Sequence, residues 1–451
     1  MKGTVAIIGA NQTGLFAAKL FSEQGFSVFV FEKNSRENAA YEWTDDISPS
    51  VFKEVGLPFP PSDIFTRARS LTFVPPGHNP VFVPKKEEEP DINVSRRGLN
   101  EWLISLLSEG VELYFDACVT RAITDGDVVY GVEFSNGETF ECDLVVDCGG
   151  VNSSVRRSLP QIFQIQNEVN ANDKLFVKRE FFARPENCPL PKHPEKVYLK
   201  HKNENGISRC FLKKDDETSD VLVGRIGSLS NETYENAIAD LKEDNPVIGN
   251  KVSGGDVIFE IPVRRPLSNL VANGYVLLGD SACMTIPIIG SGIGSGLKAA
   301  KMLADAVTSA DKAPFSKKNL YRYQLKFMRE IGGKHAAIEL VRNKLLSSRG
   351  NEIDDLVKSG VMEGLVSVVS GGSAKRLVKS FLALFFKYFS LWKTLFGVSI
   401  KAACVVSHAT KMPPRFDEKE FEKWRKKYDK PLINKNRRVN LRFMRYGGDY
   451  E

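Results

Sequence analysis

The chain has 451 residues, 42% of them apolar and 26% charged, with 35 Gly and 22 Pro. This is ordinary globular composition, which excludes a disordered chain and allows two or three domains. A net charge of +6 is compatible with an acidic surface as partner but too small to mark a nucleic-acid binder. Seven scattered Cys without a C-x-x-C pair, and five scattered His without ligand spacing, argue against a disulfide framework and a metal site. They favour a reducing interior. No basic, Ser-rich leader precedes the first apolar run, so no secretory or transit segment is expected.

The opening "TVAIIG" is a β-branched, apolar run bounded by glycine, as in a strand buried on both faces. "LFAAKLFSEQG" follows at helical spacing with Gly25 as a stop, and "SVFVFEK" is a second buried strand. Together they form a βαβ unit whose first turn carries Gly9, Ala10, Asn11 and Gly14. The turn departs from G-x-G-x-x-G at its middle position. Asn11 is read there as a tolerated stand-in, because Asn accepts positive φ better than most residues. Glu32, with Lys33 beside it, ends the second strand, where an acidic side chain takes a ribose hydroxyl. Two glycines in a parallel βαβ turn also occur without any nucleotide.

Further along, "RRGLNEWLISLL" is helical, and "VELYFDACV" is strand-like. Arg96 and Arg97 stand at the helix start, where the dipole disfavours cations, so a specific polar or anionic partner competes with simple solvation. "SNGE" is a hairpin turn, and "CDLVVDCGG" is a buried strand ending in paired glycines. "GYVLLGDSACMTIPIIGSGIGSGLKAAKMLADAV" places Asp280 at a strand end, ahead of Gly290, Gly292, Ile293 and an amphipathic helix. That is where an α/β sheet binds ligands.

These landmarks, in this order over residues 1–330, resemble the geranylgeranyl reductase family of FAD-dependent oxidoreductases, within the aromatic hydroxylase-like flavoproteins. The resemblance implies an α/β fold. It has a Rossmann-like FAD-binding domain over 1–160 and 265–330, and an inserted, mainly antiparallel substrate domain over 161–264 with part of 50–95. A helical region over 331–451 completes it. It implies non-covalent FAD, with Gly9 through Gly14 at the pyrophosphate and Glu32 at the adenosine ribose. Arg96 would reach the pyrophosphate or ribityl chain, Asp280 the ribityl chain, and the Gly290–Ile293 backbone the isoalloxazine edge. The electron donor stays open between NAD(P)H and a ferredoxin-like partner.

The substrate half departs from the family. Where polyprenyl reductases resemble Y-x-W-x-F-P, this chain has "NGISRCFLKK", keeping Phe211 but placing Ile207, Arg209 and Leu212 at the other positions. An early proline-cysteine-glycine segment is replaced by one holding Trp43, Asp45 and Asp46. The two acids are either a general acid near the flavin or, as the simpler reading, a turn cap ahead of a helix begun by Pro49. The expected activity is reduction of double bonds in a hydrophobic, isoprenoid or lipid-like substrate. Its rivals are a single-component flavin hydroxylase and a flavin electron carrier or lipid-binding module.

In the last third, "AKRLVKSFLALFFKYFSLWKTLFG" gathers its cations on one side of a helix expected over 375–397. Lysines interrupt it too often for a membrane span, leaving an interfacial helix or one packed on the protein. The expected location is cytoplasmic, with peripheral membrane contact through this helix.

Overall fold

The computed structural model describes residues 2–84, 90–213, 215–310, 312–361, 364, 379 and 388–430. The chain opens with β1 (Thr4–Ile8), α1 (Gln12–Glu23) and β2 (Ser27–Phe31), the two strands parallel and in direct register. Val5 to Ile8 are buried, because both faces of the sheet are covered, one by α1 and the other by the residues around Phe134 and Phe140, which meet Phe29 and Phe31; hence a solid apolar run and no alternation. Leu15, Phe16, Ala17, Ala18 and Phe21 of α1 are likewise buried, and Gly25, at φ 84, ends the helix.

Next come β3 (Thr44–Ile47), α2 (Ser50–Val55), β4 (Phe65–Arg67), β5 (Leu71–Val74), β6 (Val81–Val83) and β7 (Ile92–Ser95). β3, β7 and β4 make a small antiparallel sheet, on which Asp45 and Asp46 both lie. They are therefore strand residues and not a turn cap: α2 begins after Pro49 with no side-chain cap. α3 (Arg96–Ser105) leads to β8 (Val111–Tyr114). The strand expected through "VELYFDACV" divides here. Asp116 takes φ 57, which Asp tolerates, and the chain turns away into β9 (Val119–Asp125). β9 forms a three-stranded sheet with the hairpin β10 (Val128–Phe134) and β11 (Thr139–Glu141), and β12 (Leu144–Asp147) returns to the first sheet.

After α4 (Ser154–Ser158) the chain builds β13 (Lys174–Ala183), β14 (Glu195–Leu199), β15 (Gly206–Leu212) and β16 (Thr218–Ile226). α5 (Asn231–Asp244), β17 (Lys251–Gly254) and β18 (Phe259–Pro262) follow. With β5 and β6 these strands make an eight-stranded sheet in the order β17-β13-β16-β15-β14-β5-β6, β18 pairing with β13. Cys210 and Leu212 of β15 pack with Val221 and Val223 against Tyr234, Ala237 and Ile238 of α5. Ile207, Arg209 and Phe211 alternate with them and face the opposite side, toward a cavity.

β19 (Val271–Ala272) and β20 (Tyr275–Leu277) complete the first sheet, ordered β19-β20-β12-β1-β2-β8, parallel except at β19. α6 (Ile293–Thr308) packs against α1, and α7 (Lys317–Phe327) against α6 and β19, continuous with the main core. One π turn, Met328–Gly332, then leads into α8 (Gly333–Ser347), α9 (Gly350–Lys358), α10 (Phe389–Thr410) and α11 (Glu418–Tyr428). The helix expected over 375–397 is not continuous: Tyr388 has non-helical φ −139 and ψ 59, and α10 starts after it and runs past Gly397. Most of 375–387 lies outside the described residues. Among the described residues, no helix is long and apolar enough to cross a membrane.

Candidate cofactor and substrate site

The carboxyl ends of β1, β2, β12 and β20 come level, with Ile8 in register with Phe31 and Asp147, and Asp147 with Leu277. The residues that follow, Gly9, Glu32, Cys148 and Gly279, form one edge. Gly9 sits at φ 99, and a Cβ there would lie 2.9 Å from the Cys148 carbonyl oxygen. A Cβ on Gly14 would lie 2.1 Å from the Gly9 carbonyl oxygen. Neither position has room for a side chain, which is the physical content of the two retained glycines.

Asn11 has φ −83 and ψ 174, so the positive φ expected of it is absent. It is instead the N-cap of α1: Oδ1 accepts from the Gly14 N–H at 3.2 Å, and Nδ2 donates to the Cys148 carbonyl at 2.7 Å. An N-cap needs extended backbone and a short polar acceptor, which Asn supplies and glycine does not. Glu32 is buried and accepts from the Ala10 N–H at 3.0 Å and the Asn34 N–H at 3.0 Å. Lys33 is exposed and, among the described residues, makes no hydrogen bond or ion pair. Asn100 of α3 donates to the Ala10 carbonyl at 2.9 Å, while its own buried Oδ1 has no partner.

α6 brings a second helix start to the same edge. Its Gly296 is pressed on α1, where a Cβ would come within 2.0 Å of Thr13 Oγ1. α6 begins at Gly292 with no capping side chain, neither helix has an acid in its first turn, and both leave N–H donors pointing out. Gly290, at φ 71, turns the loop into α6. Ile293, the first residue of α6, is buried. Asp280 lies beside Gly292; burial raises its carboxyl to about 6, and Arg96 pulls it down.

Arg96 does find a specific partner. Its Nε bonds Asp45, and its guanidinium lies 5.6 Å from the Tyr41 ring centre and 5.9 Å from that of Trp43. Tyr41 and Trp43 meet Phe259 at 4.1 Å and 4.7 Å between centres, forming an aromatic shelf. Burial raises the Tyr41 hydroxyl, with Arg96 opposing, and Asp280, Glu32 and Asp45 all act on it. Glu32, Arg96, Asp45 and Asp280 are thus assembled around one trough. Arg97 and Arg157 stay exposed, whereas Arg156 is buried with its guanidinium on the carbonyls of Val151, Asn167 and Ser281.

Trp43 and Asp45 also line a cavity of about 1250 Å³. One wall is the open face of the eight-stranded sheet; the Ile286–Ser291 loop, the start of α6 and part of α8 form the other. Leu71, Phe73, Val197, Leu199, Ile207 and Leu345 give it an apolar stretch. Asp46 also lines it, accepting from Asn93 Nδ2 at 2.9 Å, with burial raising its carboxyl. Glu195 and His335 also line the cavity, and the sequence does not mark them, the aromatic shelf or Asn100 as site residues. Trp43 was visible in its segment, but nothing in the sequence aligns the other three with the site.

The glycine turn without room for a Cβ, the two converging helix starts and the buried acid after β2 fit the pyrophosphate and ribose of a dinucleotide such as FAD. No protein-family model matches the chain. Digeranylgeranylglycerophospholipid reductase of Sulfolobus acidocaldarius is 23% identical over 379 residues, spanning 80% of this chain and 82% of that protein. The crystal structure of a geranylgeranyl bacteriochlorophyll reductase-like protein from Thermoplasma acidophilum superposes with a TM-score of 0.72 at 17% identity, covering 88% of this chain and 99% of that one. PqsL of Pseudomonas aeruginosa, a probable FAD-dependent monooxygenase, follows at a TM-score of 0.53 and 17% identity, covering 84% and 99%. By sequence the chain is similar to digeranylgeranylglycerophospholipid reductases at 22–25% identity over most of its length, and its fold is that of a geranylgeranyl reductase-like protein.

Proposed function

We propose that the protein holds FAD non-covalently along the carboxyl edge of the first sheet and reduces double bonds of a hydrophobic, isoprenoid-like substrate in the adjoining cavity. The observation that carries this reading is that α6, whose Gly294 and Ser295 line one large, partly apolar cavity, is pressed through Gly296 onto Thr13 beside the glycine turn. Residues 1–160 and 265–330 would form the cofactor domain, and 161–264 with part of 50–95 the substrate domain.

FAD, when bound, supplies the hydride chemistry. The protein's part is placement. The first-turn N–H groups of α1 and α6 receive negative charge, and Glu32 takes the ribose. Asp280 holds the ribityl chain, with Arg96 fixed near it by Asp45. Gly290, Gly292 and Ile293 present backbone to the flavin edge. The sheet wall excludes water from the apolar chain. Asp46, kept toward its uncharged form by burial, is the acid of the Asp45/Asp46 pair suited to give up a proton. Asp45 is committed to Arg96.

The test is anaerobic. Protein carrying reduced flavin is mixed with an isoprenoid alkene, and reoxidation at the flavin band is followed together with product mass. Reoxidation with gain of two hydrogens is expected. Turnover that requires oxygen would replace the reading with a hydroxylase, and a flavin inert to both would leave a carrier. The same apparatus, supplied with NAD(P)H or a reduced ferredoxin, identifies the donor. Peripheral membrane contact falls to α10, where Phe396 and Ile400 are 46% and 51% exposed, next to exposed Lys393 and Lys401. Phe396→Ser with Ile400→Ser should release the protein from anionic vesicles without loss of flavin; vesicle binding unchanged by the pair would clear α10 of that role.

A further inference from the structure

Three charged side chains on the cavity wall face one another without touching. Arg209 on β15 lies 4.7 Å over the Phe211 ring, and its buried Nε has no hydrogen-bond partner. Its Nη2 reaches Asp220 only at 3.5 Å, and that carboxylate is already gripped by both Nε and Nη2 of Arg179. Arg69 is held by Asp216 at 2.6 Å. Glu195 on β14 is only 6% exposed, lines the cavity, and has no hydrogen bond or ion pair among the described residues. Burial raises its carboxyl to about 8, with Arg69 and Arg209 pulling it down and Asp46 and Asp220 pushing it up.

The strand register makes Arg209 and Glu195 neighbours. Val197 pairs with Arg209 across β14 and β15, so Glu195, two residues along on the same face, is a diagonal neighbour of Arg209. Opposite charges in a buried site approach to contact when the backbone permits. Here Arg209 is turned toward Asp220 and the Phe211 ring, and no ion pair joins it to Glu195. Arg179 is matched by Asp220 and Arg69 by Asp216. With Glu195 uncharged below about 8, Arg209 shares only the Asp220 carboxylate that Arg179 already holds.

We propose that the gap between Arg209 and Glu195 seats the anionic group, a phosphate or a carboxylate, of an amphiphilic substrate whose apolar chain lies along the Leu71, Phe73, Val197 and Leu199 side of the cavity. The site rests on the reading of this cavity as the substrate site. Arg209 offers planar donors to the anion's oxygens, and Glu195, uncharged, offers its O–H. Once ionised, Glu195 repels the same oxygens. The groups that face it and set its ionisation are Asp46 on β3, Arg69 between β4 and β5, Arg209 on β15 and Asp220 on β16.

Calorimetric titration of the full-length flavoprotein with geranylgeranyl phosphate, geranylgeraniol and inorganic phosphate tests this. At pH 7 the phosphate ester should bind at least about tenfold tighter than the alcohol, the scale of a charge-assisted contact. The preference should shrink at pH 9, where Glu195 is ionised. Arg209→Gln should erase the preference while leaving alcohol affinity unchanged, and Arg209→Lys should keep part of it. Glu195→Gln should keep the preference at both pH values. Inorganic phosphate binding as tightly as the ester would assign the site to a free anion, and much weaker binding assigns it to a headgroup. Equal affinity for ester and alcohol in the wild-type protein overturns the proposal, as does a preference that survives Arg209→Gln. Flavin absorbance, recorded on the same samples, separates the two readings: ester binding by a protein that takes up no FAD would defeat the cofactor reading and leave this one standing. If Arg209→Gln does not fold, the pH 7 and pH 9 comparison on the wild-type protein decides.

Discussion

The two ends of the site are built on opposite principles. At the glycine turn nearly every polar group is answered by nearby backbone: Glu32 takes two N–H groups, and Asn11 one N–H and one carbonyl. At the sheet wall, side chains from β3, β14, β15 and β16 carry charge into a cavity and are only partly matched, as with Arg209, Asp46 and Glu195. The first arrangement is rigid and specific to one ligand shape. The second leaves electrostatic demand for an occupant to satisfy.

The sharpest way to break the first end is Gly14→Val. Even a Cβ at this position would sit 2.1 Å from the Gly9 carbonyl oxygen, a backbone atom that cannot move aside without opening the turn. Loss of flavin together with destabilisation of more than about 3 kcal/mol is expected, the range of severe steric insertions. A yellow, normally melting Gly14→Val protein would show that the turn is more pliable than its geometry allows.

At the second end, Glu195→Gln should stabilise in a pH-dependent way. A carboxyl raised to about 8 in the folded protein holds its proton where the unfolded chain has lost it. Stability therefore falls as pH rises from the unfolded value near 4.5 toward 8, and is lowest above that. Gln carries no such charge. Its melting temperature should match wild type at pH 4 and exceed it by several degrees at pH 9, on the order of 2–4 kcal/mol after allowance for water in the cavity. An identical difference at both pH values would mean that burial does not hold the proton on Glu195.

That contrast also explains what the sequence disclosed. The cofactor end was legible because its constraints are local: glycine where φ is positive, solid apolar runs where a strand is covered on both faces, an acid where the second strand ends. The strand-end positions of Gly9, Glu32 and Asp280 followed from these, whereas the fold class and the grouping with Arg96 came from the family resemblance. The wall was not legible, because its charges come from strands far apart in the chain and become neighbours only through register. Alternation along "NGISRCFLKK" shows that Arg209 and Phe211 share a face, but not which face, nor that Glu195 lies diagonally opposite. Asp45 and Asp46 were misplaced for a similar reason: a four-residue strand between turn signals looks like a turn until β7 pairs with it.

Arg96→Gln bridges the two ends and should have an intermediate effect. It removes the cation between Asp45 and Asp280, leaves the half-buried Asp45 without its partner, and lets the Asp280 carboxyl rise above about 6. Flavin affinity should fall by about 2 kcal/mol at pH 7, since a charged contact and its alignment of the ribityl side are both lost. Retention of flavin through dialysis, compared with Glu32→Ala and Asp280→Ala at about 1–3 kcal/mol each, ranks the three. If Arg96→Gln holds FAD as wild type does, the arginine serves only to brace Asp45 and the Tyr41–Trp43 shelf.

The smallest effect belongs to Asn11→Gly, the change that would restore the standard glycine pattern. From the pattern alone it should be neutral or slightly tightening. The structure reverses the sign for stability. Glycine at an N-cap costs only a few tenths of a kcal/mol, but the bond from Asn11 Nδ2 to the Cys148 carbonyl at 2.7 Å is also lost, adding about 0.5–1.5 kcal/mol. That bond ties the start of α1 to the end of β12, on opposite sides of the turn. The first-turn N–H groups of α1 survive the change, so flavin affinity should move by less than about threefold while the melting temperature drops by roughly 2–4 °C. A substitution that abolished flavin binding at nearly unchanged stability would make the Asn11 amide itself a ligand, and the cap a by-product of that role.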